Sequence, residues 1–295
     1  MLDARRLDKI RKQNRWLRDL CSIEDVALGM VKPADLATRE PEVIECRNTQ
    51  LLAVFNYWRV VLSSEPQAAS WSGGGRGSSL LVRDRVSGCF LGVLAVGDPP
   101  NTLKPMMQLY GWDANEEARL ARQQHSTMLR RCLPIFEFGQ MTGGKLLALL
   151  ATSQDVLRVM ELRYSFQYVM FIIRTLHGKG SQYNRLNQRG IELVEVDPAG
   201  KGFYTMELRK KGLAFMRDGT PFGKTAMYSL ADQVDYWKTR WLTARMKSTG
   251  HVSLITPDLE RYRLSSMLVD KMMKPSDFEN LEQTNGIEPE TEDGV

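Results

Sequence analysis

GQMTGGK, Gly139 to Lys145, decides the reading of this chain through what stands on either side of it. An apolar run, LPIFEF (Leu133 to Phe138), leads into it. LLALLATSQDVLRVMELRY leads out, with apolar residues at helical spacing. The succession predicts a strand from about Met128 to Phe138, a glycine turn and a helix. The first amides of a helix lack intrahelical partners and carry the positive end of its dipole, so such a turn suits phosphate or pyrophosphate.

Toward the C-terminus, YVMFIIR (Tyr168 to Arg174) is a continuous apolar run of the kind a buried central strand shows. SQYNRLNQ then reads as a short helix beginning near Ser181, and IELVEV (Ile191 to Val196) as another strand. Toward the N-terminus, SLLVRDRVSGCFLGVLAVG predicts an antiparallel hairpin, with strands over Ser79 to Arg83 and Cys89 to Val96. ANEEARLARQQH predicts a polar helix capped by Asp113. Together these predict an α/β core over residues 63–208, with a mixed sheet flanked by helices.

Helical additions are expected at both ends. Residues 1–62 read as a basic arm (Asp3 to Leu20) followed by a helix from about Glu42 to Leu62. Beyond Asp197, residues read as one more hairpin or an irregular basic segment. Two helices follow, Leu230 to Met246 and Pro257 to Met273, making residues 209–274 a basic helical region. From Pro275 the chain is expected to be disordered. Its end, Glu279 to Val295, holds six carboxylates and no Lys or Arg, so the body is more basic than the formal charge of +5.

That basic body is compatible with a polyanion, DNA above all. Arg11, Lys12 and Arg15 on the arm, Arg76 in the glycine-rich SWSGGGRGSS, and Arg240 and Arg245 beside Trp237 and Trp241 are the candidate nucleic-acid contacts. Aromatics interleaved with cations can stack bases and hold phosphates. The same spacing also describes a packed helix face with a cationic rim.

No apolar run reaches the length of a membrane span, and the N-terminus has charges where a signal peptide needs an apolar core, which places the chain in the cytoplasm. Cys21, Cys46, Cys89 and Cys132 are far apart and form no CxxC pair, so they read as structural thiols. With only His125, His177 and His251, no metal centre is expected.

Two loop chemistries compete for GQMTGGK. Gly139, Gly144 and Lys145 keep the P-loop spacing of an ATPase, but Leu146 stands where a magnesium-binding Ser or Thr belongs. Gln140, Gly143 and Gly144 resemble the acyl-coenzyme A loop of the GNAT acyltransferase superfamily, with Lys145 at its last small position. The order of elements is similar too: hairpin, loop strand, helix, apolar strand, short helix. That resemblance implies a GNAT-like fold with acetyl-CoA or another acyl-CoA as cofactor, held at Gln140, Thr142, Gly143, Gly144 and Lys145. It implies Tyr183 as the acid that protonates the departing thiolate. Glu137 or His177 would be the base for the amine.

A narrower resemblance covers about Ser79 to Gly202. Gly111-Trp112, Leu133-Pro134, Arg163-Tyr164 and the Gly-x-x-Tyr of Gly180 to Tyr183 stand in the order of the DruA-like family. That family is associated with Druantia anti-phage systems and with transposases. Where the family has an Asn-Leu-Ala-Ser type turn, this chain has Thr142-Gly143-Gly144-Lys145, closer to a GNAT loop. The two resemblances together imply acyl transfer to a base or base-appended amine of DNA, reached by base flipping or on a single strand. A non-catalytic DNA-binding accessory protein of a defence or transposition system is the alternative.

Overall fold

The computed structural model describes residues 17–37, 40–62, 75–100, 103–113, 115–175, 182–196, 200–250 and 254–264. The arm residues Arg11, Lys12 and Arg15, His177 and the acidic tail lie outside them.

The first elements are α1 (Leu17–Leu28), β1 (Ala34–Asp35), β2 (Pro41–Glu45) and α2 (Thr49–Leu62). The expected helix from Glu42 is therefore a strand followed by a helix. Asn48 makes the break, its Oδ1 accepting the Leu51 amide at 2.8 Å as an N-terminal cap. The helical N-terminal region thus gives a strand to the central sheet.

β3 (Gly77–Asp84) and β4 (Phe90–Gly97) form the expected hairpin. Asp84 closes its turn by accepting from the Ser87 amide at 2.8 Å and hydroxyl at 2.6 Å. All of β4 is buried, as suits a strand paired on both edges. DPPNTLKP leads into α3 (Lys104–Tyr110), and α4 (Glu116–Arg122) follows. Asn115, not Asp113, caps α4, accepting the Ala118 amide at 2.9 Å.

β5 (Ser126–Pro134) ends earlier than its apolar run suggested. Phe136–Gln140 forms the short helix α5, and α6 (Gly143–Ala151) and α7 (Gln154–Tyr164) replace the single helix expected. Ser153 causes that second break by accepting the Val156 amide and capping α7. Every residue of α6 is buried. It crosses β4 at Gly92, where an added Cβ would stand 2.4 Å from the Leu133 carbonyl oxygen and 2.8 Å from Leu147 Cδ1.

β6 (Met170–Arg174), β7 (Glu192–Val196) and β8 (Gly202–Glu207) complete a seven-stranded sheet of order β2-β3-β4-β5-β6-β8-β7. All its pairings are antiparallel except β5 with β6. That pair runs in register only from Ser126↔Met170 to Leu129↔Ile173; beyond Leu129, β5 continues paired to β4 alone. The stretch before β7 forms turns and a 3-10 turn over Asn187–Arg189, not the expected helix.

Both faces of the sheet are covered. Phe171 and Ile173 enter the larger core, while Met170 and Ile172 enter a second cluster with Tyr110, Trp112 and Met216. Met216 belongs to α8 (Gly212–Asp218), within the stretch expected to be a hairpin or irregular. The helix expected over Leu230 to Met246 is α9 (Leu230–Trp237), a π-helical segment (Lys238–Leu242) and α10 (Thr243–Thr249). The wide turn buries both Trp237 and Leu242, five apart. Of the helix expected over Pro257 to Met273, the described part begins with a 3-10 turn, Leu259–Tyr262, preceded by β9 (Leu254–Ile255), which pairs with β1; the part beyond Leu264 lies outside the described residues. Tyr262 stands edge-on to Trp58 of α2, with ring centroids 5.5 Å apart, so the C-terminal segment packs into the main core.

Candidate functional site

The glycine turn lies between α5 and α6, with Thr142 in the left-handed region at φ 67. Its glycines are needed for packing. A Cβ at Gly143 would meet the Phe138 ring at 2.4 Å and the Phe138 carbonyl oxygen at 2.5 Å. At Gly144 it would meet Gln182 Oε1 at 3.0 Å. Trp237, fully buried on α9, donates its indole N–H to both the carbonyl and the hydroxyl oxygen of Thr142 at 3.1 Å. Gln140 offers its carbonyl to Arg245 Nε at 3.1 Å. The loop is closed by the chain's own side chains.

Lys145 is buried beneath this closure. Its Nζ donates to the Asn184 carbonyl at 2.6 Å and lies 4.4 Å from the centroid of the Trp241 ring. Burial, aided by the nearby Arg185 guanidinium, pushes its pKa down from 10.5 to about 8. Leu146 beside it is fully buried.

Of the residues expected to be catalytic, Tyr183 and Glu137 have separate surroundings, and His177 lies outside the described residues. Tyr183 sits in the core between Cys132 and Tyr204, and burial first, then Cys132, raises its pKa well above 10. Its hydroxyl accepts a short bond from Gln182. Burial likewise raises the Cys132 thiol to about 12. Glu137 faces the C-terminal segment, accepting from the Tyr262 hydroxyl and from the Asp258 amide at 3.3 Å, with Arg261 3.8 Å away.

The predicted nucleic-acid contacts divide. Arg76 is pinned: it pairs with Asp98 at 3.0 Å and lies 4.5 Å over the Phe166 ring. Trp237 is core and offers no face to a base, while Trp241 is half-buried with the Lys145 ammonium 4.4 Å from its ring centroid. Arg240 and Arg245 are exposed.

Sequence reasoning missed Arg158 on α7 and Lys224 in the loop before α9. Both line a cleft of about 690 Å3 between α7 and residues 209–227. Helical periodicity places Arg158 on the polar face of α7 and could have found it; Lys224 lies in an irregular stretch with no such signal.

Among the described residues no helix is long and apolar enough to cross a membrane, and no cluster of His, Cys, Asp and Glu could hold a metal ion. The four cysteines are free.

A family model described as Druantia protein DruA matches residues 4–208. The Druantia protein DruA of Escherichia coli (strain UMEA 4076-1) is 28% identical over 137 residues, a stretch covering 42% of this chain and 33% of that protein. The chain thus matches about a third of that relative's length. Among solved structures, a domain from Methanocaldococcus jannaschii DSM 2661 is 10% identical with a TM-score of 0.36, covering 58% of this chain and 99% of that one. The glycine turn and the Gln182–Asn184 turn fall within the family match; the α9 helix that closes over them falls outside it.

Proposed function

We propose, from the premise that the chain belongs to the Druantia DruA family, that it is a DNA-binding component of an anti-phage defence system and grips DNA through its phosphates. The observation that carries this reading is the rim of the closed glycine turn. Arg185 is on the 182–189 turn near Lys145, and Lys238, Arg240 and Lys247 are on the α9–α10 helix whose Trp237 and Arg245 bond to Thr142 and Gln140; none of the four makes an ion pair among the described residues. Cations without carboxylate partners release condensed counterions when they meet phosphate, which makes binding strong at low salt and independent of sequence. The packing of Trp237 in the core takes its ring out of base stacking.

Fluorescence anisotropy of a labelled DNA duplex tests the reading. Affinity should fall steeply with salt and weaken in Arg185→Glu/Arg240→Glu, and the sequence of the duplex should matter little. Absence of binding, or binding indifferent to salt, would overturn it.

A second reading, acyl transfer from acetyl-CoA to an amine on DNA, is favoured by one feature. The pairing of β5 with β6 ends at Leu129↔Ile173, and the half of β5 that pairs with β4 alone leads through α5 to the glycine turn. A pantetheine arm would need a gap there, which Gln182 and Tyr183 fill here. A rise in melting temperature with acetyl-CoA but not with ATP supports this reading; no shift, with DNA present or absent, removes it.

A further inference from the structure

We infer that the cleft between α7 and residues 209–227 is a seat for the phosphodiester backbone of a nucleic acid strand, distinct from the rim of the glycine turn. The inference rests on the DNA-binding reading and gives it a second location.

The cleft, about 690 Å3, has Gln154, Arg158 and Ser165 of the α7 wall on one side and Arg209 and Lys224 on the other, with Glu161 at its base. Glu161 is fully engaged. Its two oxygens accept from Arg209 Nη2 at 2.8 and 3.0 Å, and Oε1 also takes the Tyr168 amide at 2.9 Å. That carboxylate therefore neutralises Arg209. Arg158 and Lys224 are exposed and make no ion pair among the described residues, so the cleft keeps two cationic charges facing solvent. Lys210 and Lys211, also exposed, follow Arg209 in sequence.

The shape and the hydrogen-bonding groups narrow the ligand. Arg158, Leu162, Ser165, Gln167 and Lys224 are all exposed, so the cleft is a trench open along its length. The ring available to it, Phe166, is already in contact with the Arg76 guanidinium at 4.5 Å and the His125 ring at 4.3 Å, which leaves less of it for a base. Phosphate oxygens find two cations plus the amide and hydroxyl donors of Gln154, Gln167 and Ser165, and exposed Leu162 offers an apolar contact for a sugar. This chemistry fits a backbone threaded through the trench and read without regard to sequence.

The experiment is a salt titration of anisotropy with labelled single-stranded and duplex DNA. It compares wild type, Arg158→Gln/Lys224→Gln, and the rim variant Arg240→Gln/Lys247→Gln, with thermal melting confirming that each is folded. The cleft variant should lose about tenfold or more in affinity, and its slope of log K against log salt should fall by about two, one per lost phosphate contact. Wild-type slope and affinity in the cleft variant, with a reduced slope in the rim variant, would overturn the cleft while leaving DNA binding intact. Failure of wild type to bind either DNA would overturn both. Competition by ATP or pyrophosphate at micromolar concentration, lost in the cleft variant, would make the cleft a small-nucleotide pocket and overturn the backbone assignment.

Discussion

Lys145 and Asn184 are joined by a 2.6 Å hydrogen bond from the ammonium to the backbone carbonyl, made beneath the ring of Trp241. The bond ties the start of α6 to the turn ahead of β7, and its donor is a lysine whose pKa is lowered to about 8, chiefly by burial. Below about pH 8 the folded and unfolded chains both hold this proton, and the fold bears the full cost of a buried charge. Between about 8 and 10.5 the unfolded chain holds it and the folded chain does not, so this group makes stability rise with pH. The difference in urea-unfolding stability between wild type and Lys145→Met should therefore grow in favour of wild type across that window. A difference that stays flat from pH 7 to 10.5 would contradict the shift.

The glycines of the turn make a steric prediction. Gly143→Ala drives a methyl group into the ring and carbonyl of Phe138, and should destabilise by about 1–3 kcal/mol or more, as over-packing does. Gly144→Ala meets chiefly the side chain of Gln182, which can shift, and should cost less. Denaturant midpoints of the two variants measure the order. Equal, small losses would mean that the turn does not need its glycines for packing.

Trp237→Phe keeps an aromatic ring beside Phe138, which it meets at 5.8 Å, and removes the donor to Thr142. The loss should be about 1–3 kcal/mol, the cost of leaving the Thr142 oxygens without their donor, with the packing lost to the smaller ring in addition. Amide exchange at Gly143 and Gly144 should quicken if α9 is what closes the turn.

Glu137 tests as a structural residue. Tyr262→Phe and Glu137→Ala each remove the bond that holds the C-terminal segment to α5, and should each lower stability by about 1–3 kcal/mol, with DNA binding unchanged. The double variant should lose less than the sum of the two, because both remove one contact. Full additivity in this cycle would show that the two side chains do not act through one another.

The hairpin of β3 and β4 was legible because two short apolar runs flank a polar turn, Asp84 to Gly88. The end of β5 was not: Leu133 to Phe138 is apolar whether it is strand or helix, and only tertiary packing bends it after Pro134. The breaks before α2 and α7 carried a local signal, Asn48 and Ser153, that apolar periodicity overrode. Closure of the glycine turn had no local signal, since Trp237 lies 95 residues from Thr142 in sequence. A glycine turn reads as an anion site until the side chains that fill it are seen. For the same reason the cleft cations escaped notice, as Arg158 and Lys224 come together only when residues 209–227 fold against α7.

The single parallel pair has a consequence for the order of assembly. Hairpins β3/β4 and β7/β8 can each zip from a local turn, but β5 can meet β6 only after the chain from Ile135 to Val169 has crossed over. Contacts that wait for a long crossover form late. The two sides of the sheet are thus sewn along one seam, from Ser126↔Met170 to Leu129↔Ile173, with buried α6 in the crossover as the stitch.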